Sequence, residues 1–121
     1  MILADTSVWV GHFRAHDLKL AALLNAGQVV MHPFVLGELT MGNLTSRTQV
    51  VADLRGLPAI GAALEDEVLG FIERQRLYGL GIGYVDAHLL AAVQVAAGAK
   101  LWTLDKRLAA AAGRLGLEAA V

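Results

Sequence analysis

The sequence predicts one α/β domain, built on a parallel sheet with helices on both faces. Three observations carry this. Short apolar runs, Met1–Ala4, Val29–His32 and Leu101–Leu104, are each followed by a segment of helical periodicity. Glycine or proline punctuates the joins. The 121 residues make one domain, and strands alternating with helices need crossovers that lay the helices on the sheet faces.

Taken in order, Ile2-Leu3-Ala4 reads as a buried strand that stops at Asp5, and a helix follows from about Ser7 to Arg14. Asp17 can cap a second helix through Leu18, Leu20, Leu23 and Leu24, which closes at Gly27. Val29 to His32 forms a second strand, stopped by Pro33. Phe34 to Met41 is helical, with Gly42 as the residue after its end. Ser46-Arg47-Thr48-Gln49 has capping-box spacing and opens a helix to about Leu54.

Leu57 to Ala63 fits either a short strand or a bridge. A helix follows from about Glu65 to Arg76, acidic at its start and basic at its end, as the helix dipole favours. Gly79, Gly81 and Gly83 form a loop before a helix from about Val85 to Ala97. Leu101 to Leu104 is a strand, Lys106 to Leu115 a helix closed by Gly116, and Leu117 to Val121 can form a last edge strand.

Composition narrows the function. Hydrophobic residues make up 56% of the chain and charged residues 17%, so a second chain is expected to cover part of the surface. The absence of cysteine excludes disulfides, thiolate metal sites and cysteine nucleophiles, and accords with a reducing cytosol. Asp5 falls where a signal peptide needs apolar residues, and no apolar run reaches the roughly 18 residues of a membrane span. A cytoplasmic protein without membrane contact is the expectation. Net charge is −1, yet setting four of the 11 acids aside leaves seven against 10 basic residues, a surplus of +3 that permits a polyanionic substrate.

Four acids stand where packing patterns do not call for them. Asp5 and Asp105 each lie at the carboxyl end of a strand and at the start of a helix, where open α/β sheets keep their ligand crevice. The alternative for each is a helix cap. Glu38 shares a stripe with Phe34, Val35 and Met41 in a helix with almost no polar face. Asp86 has Leu89, Leu90 and Val93 on its stripe, and its alternative is a first-turn acid facing the dipole. Gathered in one pocket, four carboxylates repel. A hard divalent ion, Mg²⁺ or Mn²⁺, removes that conflict and suits phosphodiester hydrolysis by lowering the pKa of a bound water.

In this order and spacing, Asp-Thr-Ser after the first strand, Gly37-Glu38-Leu39, Val-Asp-Ala-His around Asp86, and Thr103-Leu-Asp105, the chain resembles a PIN-domain ribonuclease, specifically a VapC-type toxin of a toxin–antitoxin pair. The resemblance spans the whole chain. It implies a three-layer sandwich with a five-stranded parallel sheet, and an endoribonuclease site dependent on Mg²⁺ or Mn²⁺. Asp5, Glu38, Asp86 and Asp105 form the implied acidic site, with Asp5 and Asp86 as direct ligands and the other two acting through water. Thr6, Ser7 and Thr103 are the implied supporting hydroxyls. A homodimer and a cognate antitoxin that blocks the site are implied as well.

Lys106 and Arg107 stand in the first turn of a helix, where cations oppose the dipole, so an RNA phosphate contact is the expected reason for them. Arg14, Arg74 and Arg76 are weaker candidates for RNA contact. His88 lies off the acidic stripe and reads as a packing or interface residue. His12 and His16 have zinc-pair spacing without an intervening glutamate. Trp9 and Trp102 read as core or interface. The glycine loop lacks the preceding strand of a dinucleotide motif. A phospho-acceptor signalling domain of similar size needs adjacent acids after its first strand and a late lysine, whereas Thr6 follows Asp5 and Leu104 leads to an acid. A PIN scaffold without activity is the remaining alternative.

Overall fold

Ile2–Ala4 forms β1, the middle strand of a parallel sheet, in a computed structural model that describes residues 1–121. Its neighbours are β2 (Val29–Val30) and β3 (Lys100–Trp102), in the order β2-β1-β3. Leu3 pairs with Val30 on one side and Leu101 on the other, and Ala4 pairs with Trp102. Leu3 and Ala4 point to opposite faces yet are both fully buried, so both faces of the sheet are covered. That is why this strand is apolar throughout rather than alternating.

The sheet has three strands where five were expected. At its edges lie two single parallel bridges, Met31 with Ala59 and Leu101 with Glu118. The first joins Met31 N–H to Pro58 O (2.8 Å) and Ile60 N–H to Met31 O (2.9 Å). Pro58 has no N–H to extend such a ladder, so the segment left open between strand and bridge is a bridge. The second edge likewise forms two bonds around Leu101, from Leu101 N–H to Leu117 O and from Ala119 N–H to Leu101 O, and then ends.

The helices are α1 (Thr6–Arg14), α2 (Leu18–Asn25), α3 (Pro33–Thr40), α4 (Arg47–Arg55), α5 (Glu65–Gln75), α6 (Tyr84–Val95) and α7 (Lys106–Arg114). α3 starts one residue earlier than expected. Its N-cap is His32, whose ring Nδ1 accepts from Phe34 N–H at 2.9 Å, with Pro33 in the first helical position. The capping box expected at Ser46 is absent: Ser46 is left-handed, with φ 50°, and makes no side-chain cap bond. Arg47 instead reaches back to Thr40 O (2.6 Å) and Gly42 O (3.2 Å), binding carbonyls at the end of α3.

Leu3, Leu20, Leu89, Leu90, Leu101 and Leu108 anchor the core. From Ala87 to Val93 every residue of α6 is buried. This helix has no solvent face there, so the stripe that set His88 apart from the acids is not a boundary between core and water. His88 is a packing residue, 5% exposed.

Candidate metal-dependent acidic site

The site forms where the β1 and β3 ends meet the first turns of three helices. Asp5 N–H donates to Trp102 O (3.0 Å), which sets the last rung of the sheet. Beyond it the chain turns into α1, with Asp5 as N-cap. Asp5 is buried, 6% exposed. Its Oδ1 accepts from Val8 N–H (3.2 Å) and from the Ser7 hydroxyl, and its Oδ2 accepts from the Thr103 hydroxyl. Three donors therefore fix this carboxylate before any ligand arrives.

The other three acids are each engaged through one oxygen only. Asp86 accepts Gly83 N–H on Oδ2 (3.0 Å). Asp105 accepts Arg107 N–H (2.9 Å) and Leu108 N–H (3.0 Å), both on Oδ1. Glu38 accepts the Thr6 hydroxyl on Oε1 (2.9 Å). Asp86 Oδ1, Asp105 Oδ2 and Glu38 Oε2 are thus left for a ligand. Asp5 and Asp105 do cap helices, and capping occupies only Oδ1 of Asp105 and leaves its Oδ2 unbonded.

The other three acids act on Asp86. The Asp86 carboxyl is pushed above its ordinary value, first by burial; the Gly83 N–H works against this, and the charges of Asp5, Asp105 and Glu38 raise it further. Asp5, Asp86 and Asp105 each sit in the first turn or cap of a helix, whose dipole offsets part of the repulsion. Asp5, Thr6, Glu38 and Asp86 line a cavity of about 370 Å³ that Tyr84 and Leu89 close on the apolar side. A second cavity of about 530 Å³, lined by Val10, Phe13, Arg14 and Leu39, also touches Glu38.

A model of the PIN domain family matches residues 2–114, almost the whole chain. The chain belongs to the PIN-domain family. It is also similar to two proteins named Ribonuclease VapC32, from Mycobacterium tuberculosis strains CDC 1551 / Oshkosh and ATCC 25618 / H37Rv. Each is 45% identical over 117 residues, which cover 97% of this chain and 94% of the relative. These matches make it a VapC-type PIN domain and set the phospho-acceptor reading aside.

Of the three hydroxyls singled out in the sequence, Ser7 and Thr103 form one network in this PIN domain, and Thr6 bonds Glu38 instead. Ser7 Oγ lies 3.5 Å from Thr103 Oγ1 and accepts Leu104 N–H (3.0 Å), while Thr103 Oγ1 accepts Asp105 N–H (3.0 Å). Thr103 thus touches both strand-end acids. Lys106 and Arg107 are exposed beside Asp105. Arg107 lies across Gly81, where an added Cβ would stand 2.7 Å from its side chain and where φ is +77°. Arg14 is exposed at the end of α1, on the cavity that shares Glu38. His12 does not pair with His16 as a metal site: its Nδ1 accepts Asp17 N–H at 2.9 Å. Trp9 and Trp102 are buried, at 2% and 7% exposure.

Sequence reasoning missed Tyr84 and His32. Tyr84 borders the acidic cavity and stacks edge-on against His88 at 4.6 Å. An aromatic residue two before Asp86, at a helix start, is the signal that pointed to it. His32, fully buried, was assigned to a strand. A polar residue directly before proline at the first helical position marks a cap.

Proposed function

We propose that this chain is a divalent-metal-dependent endoribonuclease, the toxin of a toxin–antitoxin pair, which hydrolyses RNA phosphodiester bonds at the acidic site. The observation that carries the reading is the cavity lined by Asp5, Glu38 and Asp86 at the carboxyl end of β1; burial, and after it the charges of Asp5, Asp105 and Glu38, raise the Asp86 pKa there. The name of the VapC32 relatives supports the nuclease assignment.

The donor set suits Mg²⁺ or Mn²⁺: every available group is an oxygen, and three carboxylates each keep one oxygen unbonded. No three His, Asp or Glu side chains stand close enough to grip an ion unaided. Mg²⁺ commonly keeps several waters, and water would supply the remaining ligands here. Asp86, through Oδ1, and Asp5, through a lone pair its hydrogen bonds leave free, would be the direct ligands, and Glu38 and Asp105 would hold water. When bound, such an ion would offset the phosphate charge and make a water acidic enough to attack at neutral pH.

The chain's own residues supply the rest. Ser7 and Thr103 hold the Asp5 carboxylate in one orientation, and Thr6 does the same for Glu38. Lys106 and Arg107, and Arg14 across the cavity, bind backbone phosphates and orient the scissile bond. Tyr84 and Leu89 exclude bulk water from one wall. Large apolar side chains left exposed, Met41 at 87%, Leu18 at 78% and Val95 at 75%, support burial against a second copy and an antitoxin. No helix is long and apolar enough to cross a membrane, and we place the protein in the cytoplasm.

The test is direct. Purified chain with Mg²⁺ or Mn²⁺ is expected to cut structured RNA, and Asp5→Asn and Asp86→Asn to abolish cutting while keeping the wild-type circular dichroism. Equal cleavage by these variants and wild type would end the proposal. Mapping new RNA 5′ ends after brief expression identifies the sites cut.

A further inference from the structure

Two buried imidazoles are unaccounted for by the acidic site. His32 is fully buried, and its Nδ1 accepts Phe34 N–H at the start of α3. Its ring proton must therefore sit on Nε2, which is buried and has no partner. His88, on α6, also has a buried Nδ1 without a partner. Both rings pack on Phe34, with centroids at 5.2 Å from His32 and 4.7 Å from His88. Tyr84 stacks edge-on against His88 at 4.6 Å.

Leaving a buried polar group unpaired is destabilising, so two orphans on rings that share one neighbour call for a common solution. One is a donor by elimination. The other can accept. We propose that one buried water accepts from His32 Nε2–H and donates to His88 Nδ1, and that this link positions Glu38 against Asp86. It joins the cap of α3, the helix of Glu38, to the second turn of α6, the helix of Asp86. Two polar partners also suffice to hold a single water. The link fixes the tautomer of both rings: each carries its proton on Nε2. His32 and His88 are positioning residues, since neither lines the acidic cavity.

The positioning role rests on the nuclease reading, whereas the link itself does not, so the experiment has two arms. In the first, ¹⁵N spectra of the imidazoles are recorded for wild type and His88→Phe. Nε2–H tautomers at both positions are expected in wild type, with the His32 Nε2 proton exchanging faster and moving upfield in His88→Phe. A proton on His88 Nδ1, or an unchanged His32 signal in the variant, overturns the link whatever the activity.

In the second arm, RNA cleavage is measured. His32→Asn keeps an acceptor that can cap α3 and deletes the donor to α6. His88→Phe keeps the ring packing and deletes the acceptor. Each is expected to lower kcat about tenfold, the low end of what outer partners cost, with KM little changed. The double variant is expected to lose no more than either single one. His88→Asn, which keeps an acceptor near the Nδ1 position, is expected to recover part of the rate. Additive losses, or no recovery by His88→Asn, overturn the positioning role. A wild type that cuts no RNA overturns the nuclease reading and the positioning with it, while the spectrum still decides the link.

Discussion

The Thr103 hydroxyl donates to Oδ2 of Asp5, joining residues 98 positions apart in sequence. Parallel pairing of Ala4 with Trp102 brings both strand ends to the same edge of the sheet, and the next residue of each chain segment meets there. Removing this donor leaves Asp5 tied through Oδ1 alone. Thr103→Val is therefore expected to slow RNA cleavage about 10–100-fold while costing about 1 kcal/mol of stability. Single-turnover rates and urea unfolding of the same preparations check it, and an unchanged rate would remove Thr103 from the site.

Asp86→Asn separates the two consequences of crowding carboxylates. Without metal, the variant loses one member of a mutually repelling set, and the raised position of the Asp86 carboxyl shows that this repulsion and burial disfavour its charge. The variant is expected to melt higher than wild type in EDTA. In saturating Mg²⁺ or Mn²⁺ the order reverses, because an ion present at 100 times its Kd adds about 2.7 kcal/mol to the protein that binds it. Cleavage is expected to fall more than about 100-fold, beyond the usual cost of losing an outer partner. Thermal melts with and without the ion read the reversal.

His32 predicts a pH dependence. Burial, with a smaller push from His88, lowers its pKa from 6.5 to about 4. A group whose pKa is depressed on folding contributes stability fully above its unfolded value, and that stability is lost as pH falls. The window is 6.5 down to about 4, and the full loss is about 3 kcal/mol. The physical event is that a proton on Nδ1 breaks the cap bond to Phe34 N–H. Asp86 works with the opposite sign, since its raised pKa lets it gain stability as pH falls. Urea midpoints at pH 7 and 4.5 are expected to separate more in wild type than in His32→Asn, which cannot titrate there.

Ser46 offers a stability gain. A capping serine would lose about 1 kcal/mol on replacement. Ser46 makes no cap bond and holds a left-handed φ of 50°, a conformation that costs an L-residue about 1–2 kcal/mol and glycine very little. Ser46→Gly is expected to raise stability by about 1 kcal/mol, read as a higher urea midpoint with unchanged slope. A lower midpoint would restore the capping role.

Much of the fold was legible because the signals are local. The apolar β1, Asp17 as a cap, and the acid-to-base polarity of α5 all follow from neighbouring residues, and each element lies within a few residues of its expected place. Reading failed where the deciding partner is distant. Thr103 and Leu104 looked like strand by composition, yet pairing with β1 ends at Trp102 and frees Thr103 for Asp5. Leu117 to Val121 looked like an edge strand and forms one bridge. The serine at position 46 had the right neighbours for a cap, but the tie from Arg47 to the end of α3 goes with a different entry angle.

What this sequence determined alone is the alternation of strands and helices, and the presence of carboxylates at helix starts and on an apolar helix, because periodicity and capping are written in residues close along the chain. Only the tertiary structure decided which oxygen of each carboxylate stays unbonded, that Glu38 reaches Thr6, and that two histidines bury unpaired nitrogens against Phe34. Those depend on parallel strand pairing that places the ends of β1 and β3 side by side, a register set by contacts across nearly the whole length of the chain.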